Sequence, residues 1–218
     1  ALTFGLLTGV DPEDPVTMGS SKFDVIDWDG VLNKEALKDV RIGVARSIFK
    51  REASTERLML FEAALQKLKA AGAVIIDPID LQTMENDLGY NVLLYEFKAA
   101  LNAYLGKTRA TNPIRQLSDV IRYNHEHPKE ALKYGQAMLE RVERTSGKLT
   151  ERAYIEALTR NRHLSGEIAL GKALDEHNVQ VLVFPQYHGC SFGAAAGYPS
   201  VTVPAAYSES GEPFGITF

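Results

Sequence analysis

The chain has 218 residues, 45% hydrophobic and 24% charged, with a formal net charge of −4. That balance suits an ordinary globular domain long enough to bury a sizeable core, or part of a larger one, and the lack of basic excess argues against nucleic acid or an anionic membrane surface as partner. The single cysteine, Cys190, leaves no internal disulfide framework and no cysteine cluster for zinc or iron–sulfur.

No apolar run approaches the roughly 18 residues needed to cross a bilayer, and the N-terminus has no basic region followed by an apolar stretch. A reducing, cytoplasmic setting is the expectation. Leu2 and Leu6 share one face of a helical pattern that starts at the first residue, and Pro213 to Phe218 reads as a strand that stops in mid-run. Both ends read as cut, so residues 1–218 are expected to form one portion of a larger domain.

Asp11-Pro12-Glu13-Asp14-Pro15 is a turn-rich stretch, and residues 16–36 read as a polar surface loop with a short helix near Asn33 to Leu37. Val40 to Val44 is a β-branched strand candidate. From Thr55 to Ala71, Leu58, Phe61, Ala64, Leu65 and Leu68 recur at helical spacing, with Ser54 placed to cap the start and Gly72 to close the end. Ala73 to Ile76 follows as an apolar strand. Strand, helix and strand with short joints predict a βαβ unit whose strands run parallel.

Three helical stretches come next. Leu94, Phe97, Leu101 and Tyr104 define one face of the first; the second covers Ile114 to Asn124; the third starts at Pro128 and carries Leu132, Leu139 and Val142. A long helix from Glu151 to His177 carries Ile155, Leu158, Ile168 and Leu174. Val179 to Phe184 is another strand, stopped by Pro185. Residues 186–199 read as a loop of small residues, and the final two strands flank a polar turn from Ser208 to Gly211. The alternation predicts an α/β fold with a mixed, largely parallel sheet flanked by helices and a C-terminal antiparallel hairpin.

Several local patterns invite a chemical reading. Gly189-Cys190-Ser191-Phe192-Gly193 fits G-x-S-x-G, but the serine of a nucleophile elbow needs an acid and then a histidine later in the chain, and neither Asp nor His follows Ser191. Cys190 with His188 lacks an orienting acid. His125 and His127 stand two apart on a helix and point to different sides, unlike the pair of a metal-binding H-E-x-x-H. Gly19-Ser20-Ser21-Lys22 sets two serines beside a lysine in an exposed loop, and Glu151, Arg152, Arg160, Arg162 and Glu167 read as a solvated helix face. No catalytic residue, metal ligand or cofactor site is assigned from the residues alone.

Taken together, several stretches resemble amidase-signature enzymes. They are Gly9 to Pro15, Leu37 to Arg46, Leu65-x-x-Leu68-x-x-Ala71-Gly72-Ala73, Tyr95 to Leu105, and Ala195-Ala196-Gly197-Tyr198-Pro199-Ser200-Val201-Thr202-Val203-Pro204 running on to Phe218. Their order and spacing are those of the family's second half, over essentially the whole chain. The resemblance implies part of the amidase-signature fold and hydrolysis of carbon–nitrogen amide bonds by a Ser–cis-Ser–Lys triad. That triad belongs to a Gly/Ser-rich signature upstream of the portion resembled, so none of it is carried over. Gly19-Ser20-Ser21-Lys22 echoes its composition but follows the Asp-Pro-rich turn, in the wrong place.

The loop from Gln186 to Phe192 resembles the segment that approaches the substrate, and it is short. The resemblance therefore marks Tyr187, Cys190 and Phe192 as candidate substrate-binding residues, packing of a surface loop being their alternative role. The expectation is the C-terminal portion of an amidase, silent by itself and acting on a small-molecule amide only when completed by an N-terminal half. A non-catalytic interaction module built on the same fold, or one half of a split amidase, stands beside it. Apolar surface left uncovered would drive self-association.

Overall fold

The computed structural model describes residues 2–23, 30, 32–46, 54–81 and 90–218. A five-stranded sheet organises them: β1 (Arg41–Ala45), β2 (Val74–Ile79), β3 (Val181–Pro185), β4 (Thr202–Tyr207) and β5 (Pro213–Thr217), in the order β2-β1-β3-β5-β4. β2, β1 and β3 run parallel, while β5 is antiparallel to both β3 and β4. The expected βαβ unit and the closing hairpin are both present, and the sheet is mixed as the alternation of elements required.

The helix joining β1 to β2, α2 (Thr55–Ala70), begins where the Ser54 side chain accepts the Arg57 N–H. Gly72 follows it at φ +96, in the half of backbone space that favours glycine. Phe61, Ala64, Leu65 and Leu68 turn onto one face of the sheet, where Ile42, Val44, Val183, Phe214 and Ile216 complete a core. Leu58, placed on the same face by spacing, is more than a third exposed. β2 extends past the expected Ile76 to Ile79 and includes a cis peptide at Asp77-Pro78.

The opposite face of the sheet is covered by the second half of the long helical region. Where one helix was expected from Glu151 to His177, the chain forms α7 (Arg152–Arg162), a π-helical stretch (His163–Gly171) and, directly after it, α8 (Lys172–Glu176). Widening the turn to i→i+5 shifts the inward face. Tyr154, Ser165, Ala169 and Ala173 are buried, whereas Ile155 is 51% exposed. Ala169, Leu170 and Ala173 pack with Ala45, Ile79, Leu182 and Phe184 into a second core.

A helical layer stands beside the sheet. It consists of α3 (Tyr90–Gly106), α4 (Leu117–Glu126), α5 (Pro128–Ala131) and α6 (Ala137–Glu143), around Leu94, Leu117 and Val142. The single helix expected from Pro128 is broken, because Gly135 takes φ +72 between α5 and α6. On α3, Phe97 and Tyr104 lie 44% and 70% exposed, so only part of the predicted apolar face is buried. Lys98 ties α3 to α6 through the carbonyls of Glu143 and Thr145 at 2.7 and 2.9 Å.

The N-terminal residues form α1 (Leu2–Leu7) and a 3₁₀ stretch (Pro15–Phe23), and residues 34–39 form turns rather than a regular helix. Leu6, Leu7 and Val16 are at least 81% exposed. The stretch Asp24 to Asp29, including Trp28, lies outside the described residues. No described helix is long and apolar enough to cross a membrane.

Candidate functional site

Parallel strands β1 and β3 bring their carboxyl ends to the same edge of the sheet, the edge at which open α/β sheets bind ligands. At the end of β1, Arg46 forks onto Asp77 with Nε–Oδ1 and Nη2–Oδ2 distances of 2.6 and 2.5 Å, and it also contacts Glu62. Its guanidinium sits 5.6 Å from the Phe61 ring centroid. The Asp77 hydrogen bonds hold Arg46 protonated, well above its ordinary pKa. This cation is therefore taken up by carboxylates of β2 and α2.

At the end of β3, Gln186 turns the chain at φ +51, left-handed space that a side chain enters only when its surroundings enforce it. The enforcement comes from β5. The Gln186 N–H donates to the Gly215 carbonyl at 2.9 Å, and the buried Thr217 hydroxyl donates to the Gln186 carbonyl. Thr202 Oγ1 stands 2.7 Å from Thr217 Oγ1 and extends that link into β4. Nothing in the sequence marks a glutamine for positive φ, and the signal that could have found it was the polar Thr pair across the hairpin.

The chain then leaves the sheet. Tyr187 is 67% exposed and its ring stacks on His188 with centroids 4.7 Å apart. The Cys190 N–H donates to the Tyr187 carbonyl at 3.0 Å. Residues 190–196, expected as loop, form helix α9 (Cys190–Ala196), because the Ala194-Ala195-Ala196 run favours helix. Gly197 at φ +80 closes it, with the N–H groups of Gly197 and Tyr198 both donating to the Gly193 carbonyl at 2.9 Å.

The G-x-S-x-G match is a packing pattern. A Cβ on Gly189 would enter the Phe184 ring, with even Cε2 only 2.8 Å away, and one on Gly193 would lie 2.5 Å from the Ser200 hydroxyl oxygen. The two glycines let α9 lie close to β3 and to the 198–200 segment, and Ser191 between them is exposed. Of the candidate substrate-binding residues, Tyr187 is outermost, Cys190 is half-buried, and Phe192 is 5% exposed within the second core.

The other motifs separate in space. His125 faces Glu140 at 3.3 Å, while His127 lies on Tyr123 and meets its carbonyl at 2.9 Å. The Ser20 hydroxyl stands 2.8 and 2.6 Å from the carbonyls of Gly9 and Thr17, so it is committed to its own turn. Arg152 pairs with Glu156 at 2.6 Å, and Glu151 accepts the Ser146 N–H at 2.8 Å; hydrogen bonding from the Ser146 side chain first, and then from backbone amides, holds its carboxyl below the usual range. Among the described residues no group of His, Cys, Asp and Glu is arranged to hold a metal ion. An apolar groove of about 150 Å³ lies where α8 and α9 meet β5, bounded by Leu174, Leu182, Phe184, Tyr198 and Phe218. Tyr187, Cys190 and Phe192 do not line it.

The family model for amidases matches residues 6–192. The chain belongs to the amidase family. A probable amidase of Arabidopsis thaliana is 31% identical over 97% of this chain. An amidase family protein from Bacillus anthracis superposes with a TM-score of 0.82 at 28% identity, covering 96% of this chain and 40% of its own. The native peptide amidase of Stenotrophomonas maltophilia superposes with a TM-score of 0.80 at 33% identity, over 96% of this chain and 45% of its own. The amidase chain described here spans about two-fifths of the length of the curated Arabidopsis relative, 41%.

Proposed function

We propose that these 218 residues are the C-terminal, supporting portion of an amidase that hydrolyses carbon–nitrogen amide bonds, and that they turn over no amide by themselves. One observation carries the reading. The amidase match extends over residues 6–192, yet among the described residues each serine, cysteine or histidine motif is engaged in packing or local turns, or lacks a base and orienting acid. The attacking serine, its proton relay and the oxyanion donors then come from polypeptide outside these residues.

In that assembly the carboxyl end of β3 forms part of the wall for a small-molecule amide. Tyr187 and Cys190 face the substrate side, and Phe192 holds their helix onto the sheet from beneath. The lone cysteine suits a cytoplasmic enzyme. The exposed apolar side chains of Leu6, Leu7 and Val16 favour a second role, self-association of the isolated chain.

The purified chain, incubated with simple aliphatic and aromatic amides, is expected to release no ammonia or amine above the buffer rate. Robust turnover abolished by Ser20→Ala or Ser191→Ala would overturn the reading. Size-exclusion chromatography tests the second role, which a clean monomer across the micromolar range would refute.

A further inference from the structure

We propose that the cleft between α3, α6 and the start of α7 binds a small zwitterion, a free α-amino acid or a short peptide, with the carboxylate on Arg141 and Arg144 and the ammonium beside Glu151. The inference rests on the cleft alone and stands apart from the amidase reading.

The cleft encloses about 610 Å³, a volume typical of small-molecule sites. Cross-ties between the helices hold it open. Lys98 of α3 grips the carbonyls of Glu143 and Thr145 at the end of α6. The buried Tyr154 of α7 donates its hydroxyl to Glu96 of α3 at 2.8 Å, and its ring lies 5.7 Å from that of Tyr95. Leu94 and Ala153 give the cleft its apolar surface, and neither Tyr187 nor Cys190 lines it.

The charges are unspent. Arg141 and Arg144 stand three residues apart on the same helical side, both exposed, and neither guanidinium has an ion pair or hydrogen bond among the described residues. Arg46, Arg57, Arg122 and Arg152, by contrast, each meet a carboxylate. Two unpaired guanidinium groups on one wall repel each other. A carboxylate between them removes that repulsion and takes charge-assisted bonds in a planar, bidentate geometry. The Asn91 carboxamide and the Tyr95 hydroxyl, also without a bond among the described residues, add neutral donors to the same wall.

The facing wall is acidic, and it decides the class of ligand. Ser146 holds the Glu151 carboxyl ionised, and Glu151 Oε1 accepts the Ser146 N–H at 2.8 Å. Its Oε2 is enclosed and has no donor. An acceptor left in that state is destabilising, and a donor from a ligand relieves it. The last torsion of a glutamate is soft, so the carboxylate can turn toward the cleft. A simple anion would meet this carboxylate as well as the arginines. A molecule with an ammonium at its other end satisfies both walls. Two residues of extended peptide span about 7 Å, so the cleft has room for a dipeptide as well as for a single amino acid.

The test is calorimetric titration of the full chain with L-phenylalanine and with L-alanyl-L-phenylalanine, which distinguishes the two sources of the zwitterion. At least one is expected to saturate with a Kd of about 1 mM or below. Its N-acetylated and its C-amidated forms should each bind at least fivefold more weakly. The double change Arg141→Gln and Arg144→Gln should weaken the zwitterion at least tenfold and the C-amidated form less than twofold. Glu151→Gln, which keeps an acceptor for the Ser146 N–H, should weaken the zwitterion at least fivefold and leave the N-acetylated form unchanged. Arg109→Gln, at an exposed arginine outside the cleft, should leave every affinity unchanged.

Amide chemical shifts of the unmutated chain locate the ligand without any variant. The changes are expected at Asn91, Ser146 and Ala153, and not at Tyr187 or Cys190. Failure of both zwitterions to saturate overturns the proposal. So does equal binding of the blocked forms, indifference to the arginine pair, or a shift pattern centred on α9. Hydrolysis of amides by the same chain would refute the silence proposed for it and is read from a separate assay, whereas loss of zwitterion binding refutes the cleft alone.

Discussion

Gly189→Ala is the sharpest probe of how α9 is held. The position has φ −86 and ψ −17, which alanine adopts without strain, so backbone considerations alone favour the substitution by up to about 1 kcal/mol. Packing opposes it. The added methyl would fall within the Phe184 ring, 2.8 Å from Cε2 and nearer still to other ring atoms, against an ordinary carbon–carbon contact of roughly 3.5–4.0 Å. Relief requires a shift of about 1 Å or more, and Phe184 is 4% exposed between Leu182 and Phe192 in the second core. Overpacking of this kind costs about 1–3 kcal/mol, so it exceeds the backbone gain. For a chain of this size a net loss of about 1–2 kcal/mol lowers Tm by about 2–8 °C. Urea denaturation of the purified chain, followed by far-UV dichroism, gives the comparison directly. Phe184→Leu in the Gly189→Ala background should recover part of the loss, so that the double-mutant cycle shows a favourable coupling. Gly189→Ala as stable as the parent, or strict additivity with Phe184→Leu, would refute the proposed contact.

Gly197→Ala meets nothing within 4 Å and should lose only the left-handed backbone preference, about 1 kcal/mol, by the same denaturation assay. Ser54→Ala removes the side-chain acceptor of the Arg57 N–H and should cost about 0.5–2 kcal/mol, with α2 showing the largest rise in amide exchange. Asp119 accepts the Arg115 N–H at 3.0 Å and an Arg122 guanidinium bond at 2.9 Å, in that order of influence, and its carboxyl is held below the ordinary value. The unfolded chain therefore takes up this proton first as pH falls. The contribution is complete above the unfolded value of about 3.9 and is lost as pH drops through the folded one. Asp119→Asn should flatten the acid limb of Tm against pH and leave its shape near neutrality unchanged.

Regular packing carried through from sequence to structure. β1, α2 and β2 follow from short apolar runs and a 3.6-residue period that one element buries on one face, and the two strands of that unit pair in parallel. Along residues 151–177 the expected period is interrupted by a change of helical pitch. The i→i+5 turns of residues 163–171 re-index the inward face and put Ser165 in the interior, while Ile155, ahead of them on α7, faces water. A residue-by-residue period cannot register a widened turn. In the same way, the glycines at 189, 193 and 197 read as loop chemistry, because composition does not distinguish a glycine chosen for φ from one chosen for close approach.

That distinction decides how the candidate site is understood. Gly197 is there for its φ, whereas Gly189 and Gly193 are there for proximity, and together they let a seven-residue helix lie against β3 and the 198–200 segment. Tyr187 and Cys190 occupy their positions because Gln186 is locked to Gly215 and Thr217 of β5 just ahead of that helix. The hairpin thus has two roles that share the same residues. Thr202 and Thr217 fix the turn at the end of β3 from within the sheet, and they also pair β4 with β5. A change at either threonine is therefore felt at the Gln186 turn.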